Sequence, residues 1–350
     1  MSRPPSEVRE RPAEVSAPAG VSRRLRLAAI AVAVVALAVV GLRGRLPDPR
    51  AFVAALAGAD SGWIALAALL QVVSLVAFAG QQRRLLADLG VRLRVRRLLA
   101  ITLARSALSI SLPAGAAVST AYAIREYQKA GVSRRIGAAS AVVSGLASLG
   151  GLTLLYVAGG AGLVARDPGA YLSWRPLAVV AALAGITTAG IVLGRRYGAR
   201  PQRTPAGPAR VGRAGRLITR LLTSGRDAWR AGAGLRVRDW AAALAYAAVN
   251  WLTDLLCLAA ACRAFGLPVG VTTLAGIYLG VQIVRQVPLT PGGVGVIETA
   301  LVAGLTAAGA TAVSAAAAVL VYRLLSCWLI IPAGGAAGLA LRRASAGPPR

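Results

Sequence analysis

Apolar residues fall along this chain in long uncharged blocks instead of alternating with polar ones. Blocks at 27–42, 62–80, 136–162, 176–194, 239–262 and 312–331 read as membrane-spanning helices, since a helix rises about 1.5 Å per residue against a hydrocarbon core about 30 Å thick. Two more blocks, 98–112 and 271–287, stop short, because roughly 15–17 residues reach only about 22–26 Å. Each ends at a helix-breaking cluster: Pro113 with Gly115 in the first, and Pro288, Pro291, Gly292, Gly293 and Gly295 in the second. Proline lacks the backbone N–H and clashes with the preceding turn, so the arriving helix must end. A new helix follows each break, polar to about 127 in the first case and apolar to about 308 in the second. Broken backbone at membrane depth is tolerated where it is buried in protein or lines a cavity. The pattern therefore predicts two re-entrant hairpins, and the second break is the stretch around which the chain is organised.

Charge then fixes orientation. Arginines collect at 23–26, 83–97, 195–238 and 342–343, and the 125–135 loop is also basic. Excess Lys and Arg mark cytoplasmic loops. If both broken blocks return to the side they entered, all these segments lie inside, with the N- and C-termini. If the first block crosses fully, the most arginine-rich loop falls outside, so the hairpin reading is preferred. The predicted fold is an all-α polytopic membrane protein with about six full spans plus two re-entrant helical hairpins. Two spans, a hairpin and one span (27–162) recur in opposite orientation (176–341), the pattern of an inverted repeat. Residues 1–22 read as a disordered cytoplasmic tail, 23–343 as a single transmembrane domain with a basic cytoplasmic loop at 195–238, and 344–350 as a short tail. Residues 51–59 read as a short interfacial piece, and Pro332 as a perturbation at the end of the last span.

Composition removes several function classes. The 350 residues are 57% hydrophobic and 15% charged, with a formal net charge of +28. In a soluble domain that charge would suggest nucleic acid. Between apolar segments it is accounted for by topology and by anionic lipid headgroups, so no nucleic-acid partner is expected. There is no histidine, and Cys257, Cys262 and Cys327 sit inside apolar segments without metal-ligand spacing. No catalytic constellation, metal cluster or phosphate-binding loop appears, so neither an enzyme nor a cofactor is expected.

The remaining polar residues are the candidates. A half-helix starting near Gly293 offers free N–H groups and a positive dipole end, an anion site that suits a lipid phosphate, with Arg285 and Gln286 as further donors. Glu298 lies about 7.5 Å along the axis from Gly293, placed to take a proton, pair with an arginine or meet a cationic headgroup. Arg323, near mid-span, is expected to face the interior and either pair with Glu298 or bind phosphate. Arg105 and Arg285 reach an interface by snorkelling if the hairpins are shallow. Asn250 and Asp254 share a helix face, and Asp254 is a second buried acid suited to ion coupling or to hydrogen bonding between helices. Gly145, Gly150 and Gly151 are expected to allow close helix contact.

The stretches TPGGVGVIETALVAGLTAAG (290–309), NWLTDLLCLAAACRAFGLPV (250–269) and VYRLLSCWLIIP (321–332) resemble the membrane domain of lysylphosphatidylglycerol synthases and its stand-alone flippase-like relatives. QQRRLLADLG (81–90) and LPAGAAVSTAYAIREYQKAGVS (112–133) resemble the matching first-half segments, so the resemblance spans roughly residues 25–341. It implies an inner-membrane protein that moves a lipid or lipid-linked headgroup between leaflets, with membrane lipids and envelope-synthesis proteins as expected partners. A non-transporting scaffold of an envelope-glycan complex is the alternative. No soluble aminoacyl-transferase domain follows the last span, so synthesis from aminoacyl-tRNA is not expected. Relatives often carry an acid soon after the first break, where this chain has Ala116, Val118, Ser119 and Thr120.

Overall fold

In the computed structural model the chain is described over residues 49–112, 114–166, 235–285 and 291–346, with 185 and 192 as isolated helical positions. The tail at 1–22, the block at 27–42, all of 176–194 but residues 185 and 192, most of the 195–238 loop, and Pro113, Gln286 and Pro288 lie outside the described residues. All regular structure among the described residues is helical: α1 Pro49–Ala57, α2 Ser61–Asp88, α3 Val95–Ser111, α4 Gly115–Lys129, α5 Arg134–Arg166, α6 Val237–Ala264, α7 Val271–Arg285, α8 Val296–Ala307, α9 Ala312–Arg323 and α10 Ile330–Ala346. Four stretches among them, Ser61–Asp88, Arg134–Gly160, Val237–Ala264 and Ala312–Ala344, are long and apolar enough to cross a membrane.

α2 carries its apolar residues outward and several of its polar ones inward, the reverse of a helix in a soluble protein. On α2, Leu69, Val72 and Val76 are exposed while Gln71, Ser74, Gln81 and Gln82 are buried. Lipid is as apolar as leucine, so association relies on close packing and on polar groups that find partners inside. The buried glutamines explain why α2 runs two turns beyond its predicted end at residue 80. Gln81 Nε2 donates to the Ala243 carbonyl at 3.1 Å, and Ser144 Oγ lies between the two glutamines, donating to Gln81 and accepting from Gln82.

α2 and α6 lie antiparallel along their whole length, and four contacts fix the register. The Asp60 N–H donates to the Ala264 carbonyl, Ser74 and Asn250 exchange hydrogen bonds, Gln81 meets Ala243, and Arg84 pairs with Asp239. Residue numbers rise along one helix as they fall along the other, which only a side-by-side antiparallel pair permits. α5 packs on α6 at Gly151, where a Cβ would lie 2.8 Å from the Ala247 Cβ. Gly145, expected to serve the same contact, faces open space.

Both broken segments form helical hairpins. α3 packs on α4, and α7 on α8. The last span differs from expectation. It does not end at residue 331; α9 passes through a π turn, Leu324–Trp328, directly into α10. Pro332 offers no N–H to the Trp328 carbonyl four residues back. The π turn, in which the Leu329 N–H donates to the Leu324 carbonyl, precedes it and absorbs the mismatch without ending the helix. α10 then lies along α3, close enough that a Cβ on Gly334 would meet the Leu103 carbonyl at 2.4 Å.

Candidate functional site

The second break is held open by backbone conformations that only glycine adopts readily. Gly292, Gly293 and Gly295 have φ of 61°, 69° and 86°, in the left-handed region that a Cβ penalises. Pro291–Gly293 forms a single 3₁₀ turn, and α8 begins at Val296. The first break turns as sharply. Ala114 has φ 53°, and Gly115 sits so near the Ser109 carbonyl that a Cβ would fall 2.2 Å from its oxygen. The two breaks meet, since a Cβ on Gly292 would lie 2.7 Å from the Ile110 carbonyl at the end of α3.

At this meeting point Arg323, 3% exposed, reaches from α9. Its Nε donates to Glu298 Oε1 at 2.6 Å and its Nη2 to the Gly292 carbonyl at 3.0 Å. Glu298 Oε2 accepts the Gly295 N–H at 2.7 Å. The planar guanidinium can span a carboxylate and a backbone carbonyl at once, which a lysine ammonium on a flexible stem does less well. A charge buried in hydrocarbon is costly unless paired and hydrogen-bonded, and both partners here are. The half-helix start expected to bind an anion is thus occupied by the chain's own carboxylate, placed where the helix dipole favours negative charge. Thr299 Oγ1 adds a bond to the Gly295 carbonyl at 2.6 Å.

The other candidates take separate places. Arg285, the last residue of α7, is exposed and has no hydrogen-bond or ion-pair partner among the described residues, but lies within electrostatic reach of Tyr278, Tyr322 and Cys327. Arg105 stacks over the Phe78 ring at 5.2 Å from its centroid, apart from the Glu298 pair. Ser119 and Thr120 on α4 both donate to the Ala116 carbonyl. Asn250 and Asp254 share a face of α6 yet serve different neighbours, Asn250 binding Ser74 and Asp254 two tyrosines. Tyr278 donates to Asp254 Oδ2 at 2.7 Å and Tyr322 to the same oxygen at 3.0 Å.

Those tyrosines were missed in the sequence. The available signal was that Tyr278, Gln282 and Arg285 recur at helical spacing on an otherwise apolar half-helix, and that Tyr322 precedes Arg323. Glu126 stands at the exit of α4, within the 125–135 segment. It is buried, with Oε1 bonded to Lys129 at 2.6 Å.

Compared with known proteins, the chain matches the family model described as lysylphosphatidylglycerol synthase TM region over residues 26–334. It is also similar to a UPF0104 membrane protein of Methanothermobacter thermautotrophicus, 29% identical over 87 residues. That match covers 25% of this chain and 26% of the relative, so the chain spans about a quarter of the curated relative's length.

Proposed function

The chain belongs to the lysylphosphatidylglycerol synthase TM region family, and from that membership and the tie at the second break we propose that it moves a phospholipid or lipid-linked headgroup between the leaflets of the cytoplasmic membrane. The observation that carries this reading is the pair of buried Arg323 with the partly buried Glu298, bonded to the Gly292 carbonyl and the Gly295 N–H where two broken hairpins meet. A phosphate-bearing headgroup offers the same acceptors as the Glu298 carboxylate and competes with it for Arg323 and the α8 N-terminus. Arg285, exposed at the end of α7, is the cation that first meets the headgroup, with Gln286 beside it. Pro291 and Gly115 stand at the two breaks, and Arg105 supports the first hairpin from its place on Phe78.

An inverted repeat supplies the two conformations that alternating access needs. Val237 begins α6 176 residues after Ser61 begins α2, Val271 begins α7 176 after Val95 begins α3, and Ala312 begins α9 178 after Arg134 begins α5. The corresponding helices α2 and α6 run antiparallel, as inverted halves require. We place both termini and the basic loops on the cytoplasmic side, consistent with their arginines.

A second reading, a non-transporting scaffold for envelope synthesis, draws on one observation: the pair's main hydrogen bonds are satisfied within the protein, as in a structural brace. Reconstituted vesicles separate the two. Labelled anionic, aminoacylated and polyprenyl-phosphate lipids should change leaflet faster in vesicles holding the protein than in protein-free ones. No acceleration for any of them would leave the scaffold in front.

A further inference from the structure

Away from the Glu298 pair, one buried carboxylate ties three helices together. Asp254 on α6 is 8% exposed, and its Oδ2 accepts hydroxyls from Tyr278 on α7 and Tyr322 on α9, themselves 1% and 3% exposed. Both hydroxyls fall on the one oxygen, Oδ2. Four residues on from Tyr278, and so on the same face of α7, Gln282 is 2% exposed and its Oε1 has no partner. A buried acceptor left unsatisfied costs free energy unless a donor reaches it. Gln282 Oε1 is therefore a buried acceptor in want of a donor, on the α7 face that carries Tyr278.

We propose that Asp254 binds one proton per transport cycle and that this proton, held at the carboxylate between Tyr278 and Tyr322, couples lipid movement to the proton gradient. The proposal rests on the transport reading above. The ligand is a proton and not a metal ion, for two reasons. α6 is unbroken at Asp254, so no backbone carbonyl is freed to coordinate a cation. Among the described residues no group of three acids, cysteines or histidines could hold a metal.

The link to the lipid site is short. Tyr322 and Arg323 are consecutive on α9, so Asp254 and Glu298 hold adjacent residues of one helix, with the π turn starting one residue later. Hydrogen bonds to an ionised carboxylate are roughly twice as strong as neutral ones. When the proton arrives, the two tyrosine bonds weaken, and the hold of α6 on α7 and α9 loosens where Arg323 meets Glu298. When it leaves, the tie re-forms. The charged and titratable groups around Asp254 are Cys257 from its own helix, Tyr278 and Arg285 from α7, Tyr322 and Arg323 from α9, and Glu298 on α8 through Arg323.

The test uses the full chain in vesicles, with pH set independently on the two sides. If one proton accompanies each lipid, one pH unit shifts the leaflet ratio of a labelled phospholipid about tenfold at steady state. In Asp254→Asn, which keeps the shape and an acceptor for the tyrosines, the ratio should no longer follow pH. Tyr322→Phe, which retains the carboxylate, should keep the dependence. A wild type that moves lipid without regard to the pH gradient, or an Asp254→Asn that keeps the full shift, overturns the coupling and leaves transport standing. If no lipid moves, infrared difference spectra against pH still decide the proton site. A protonated-carboxyl band that titrates in the wild type and vanishes in Asp254→Asn supports it, and its absence from the wild type overturns it.

Discussion

Arg323 holds the second break through two different bonds, and its replacements should separate them. Arg323→Ala leaves the partly buried Glu298 carboxylate without its partner, a loss below the roughly 3–5 kcal/mol of a fully buried pair. Glu298→Gln combined with Arg323→Gln should recover part of it, because neither charge is then stranded. Unfolding in detergent across the four-protein cycle reads the coupling, and additive losses would show that the pair does not act as a unit. The glycines provide a second contrast. Gly292→Ala meets both the left-handed conformation and the Ile110 carbonyl, whereas Gly295→Ala meets the conformation with nothing within 4 Å of its Cβ. Backbone strain of this kind costs about 1–3 kcal/mol, so both variants should melt earlier, Gly292→Ala by the larger margin. Equal losses would mean the two hairpin tips are not in contact.

At the scale of elements, the sequence made most of the architecture legible. Charge-free blocks bounded by arginines located α2, α5, α6 and α9, and the prolines with their glycines located both breaks, because backbone chemistry there leaves few alternatives. The boundaries that moved did so through tertiary partners that no local pattern records. α2 gained two turns because Gln81 and Gln82 bond inside, and the last span passed Pro332 because a π turn precedes it. Of the candidate site, Glu298 and Arg323 were legible as charges with nowhere to hide in lipid. Tyr278 and Tyr322 were not, since a tyrosine in an apolar helix looks like packing until Asp254 is seen between them. The glycines of α5 sort by neighbour in the same way. Gly151→Leu drives a side chain into Ala247, an overpacking loss of about 1–3 kcal/mol, while Gly145→Leu should melt close to the wild type. The reverse order would contradict the α5–α6 packing.

For the whole molecule, the two halves share a layout but not their charges. Shifted back by the 178 residues that separate α5 from α9, Glu298 and Arg323 fall on Thr120 and Gly145. The tie therefore exists on one side of the proposed repeat only. Orientation is open to a direct check in a background lacking Cys257, Cys262 and Cys327. Single cysteines at Arg92 and Arg125 should react with an impermeant reagent from the cytoplasmic side, and those at Arg263 and Val271 from the opposite side. Labelling of Arg92→Cys and Arg125→Cys from different sides would make the first broken segment a full crossing.

The most direct test of the central claim is the rate of lipid movement between leaflets in vesicles holding wild type, Glu298→Gln, Arg285→Ala or Gln81→Leu, each shown to be folded. Removing a group that acts in the rate-limiting step by about 1.4 kcal/mol or more slows it about tenfold or more. Such a loss is expected for Glu298→Gln and Arg285→Ala, and continued movement in Gln81→Leu, whose change lies in the α2–α6 seam away from the breaks. Full activity in a folded Glu298→Gln would contradict that expectation, and would leave the Arg323 tie a brace with no part in transport.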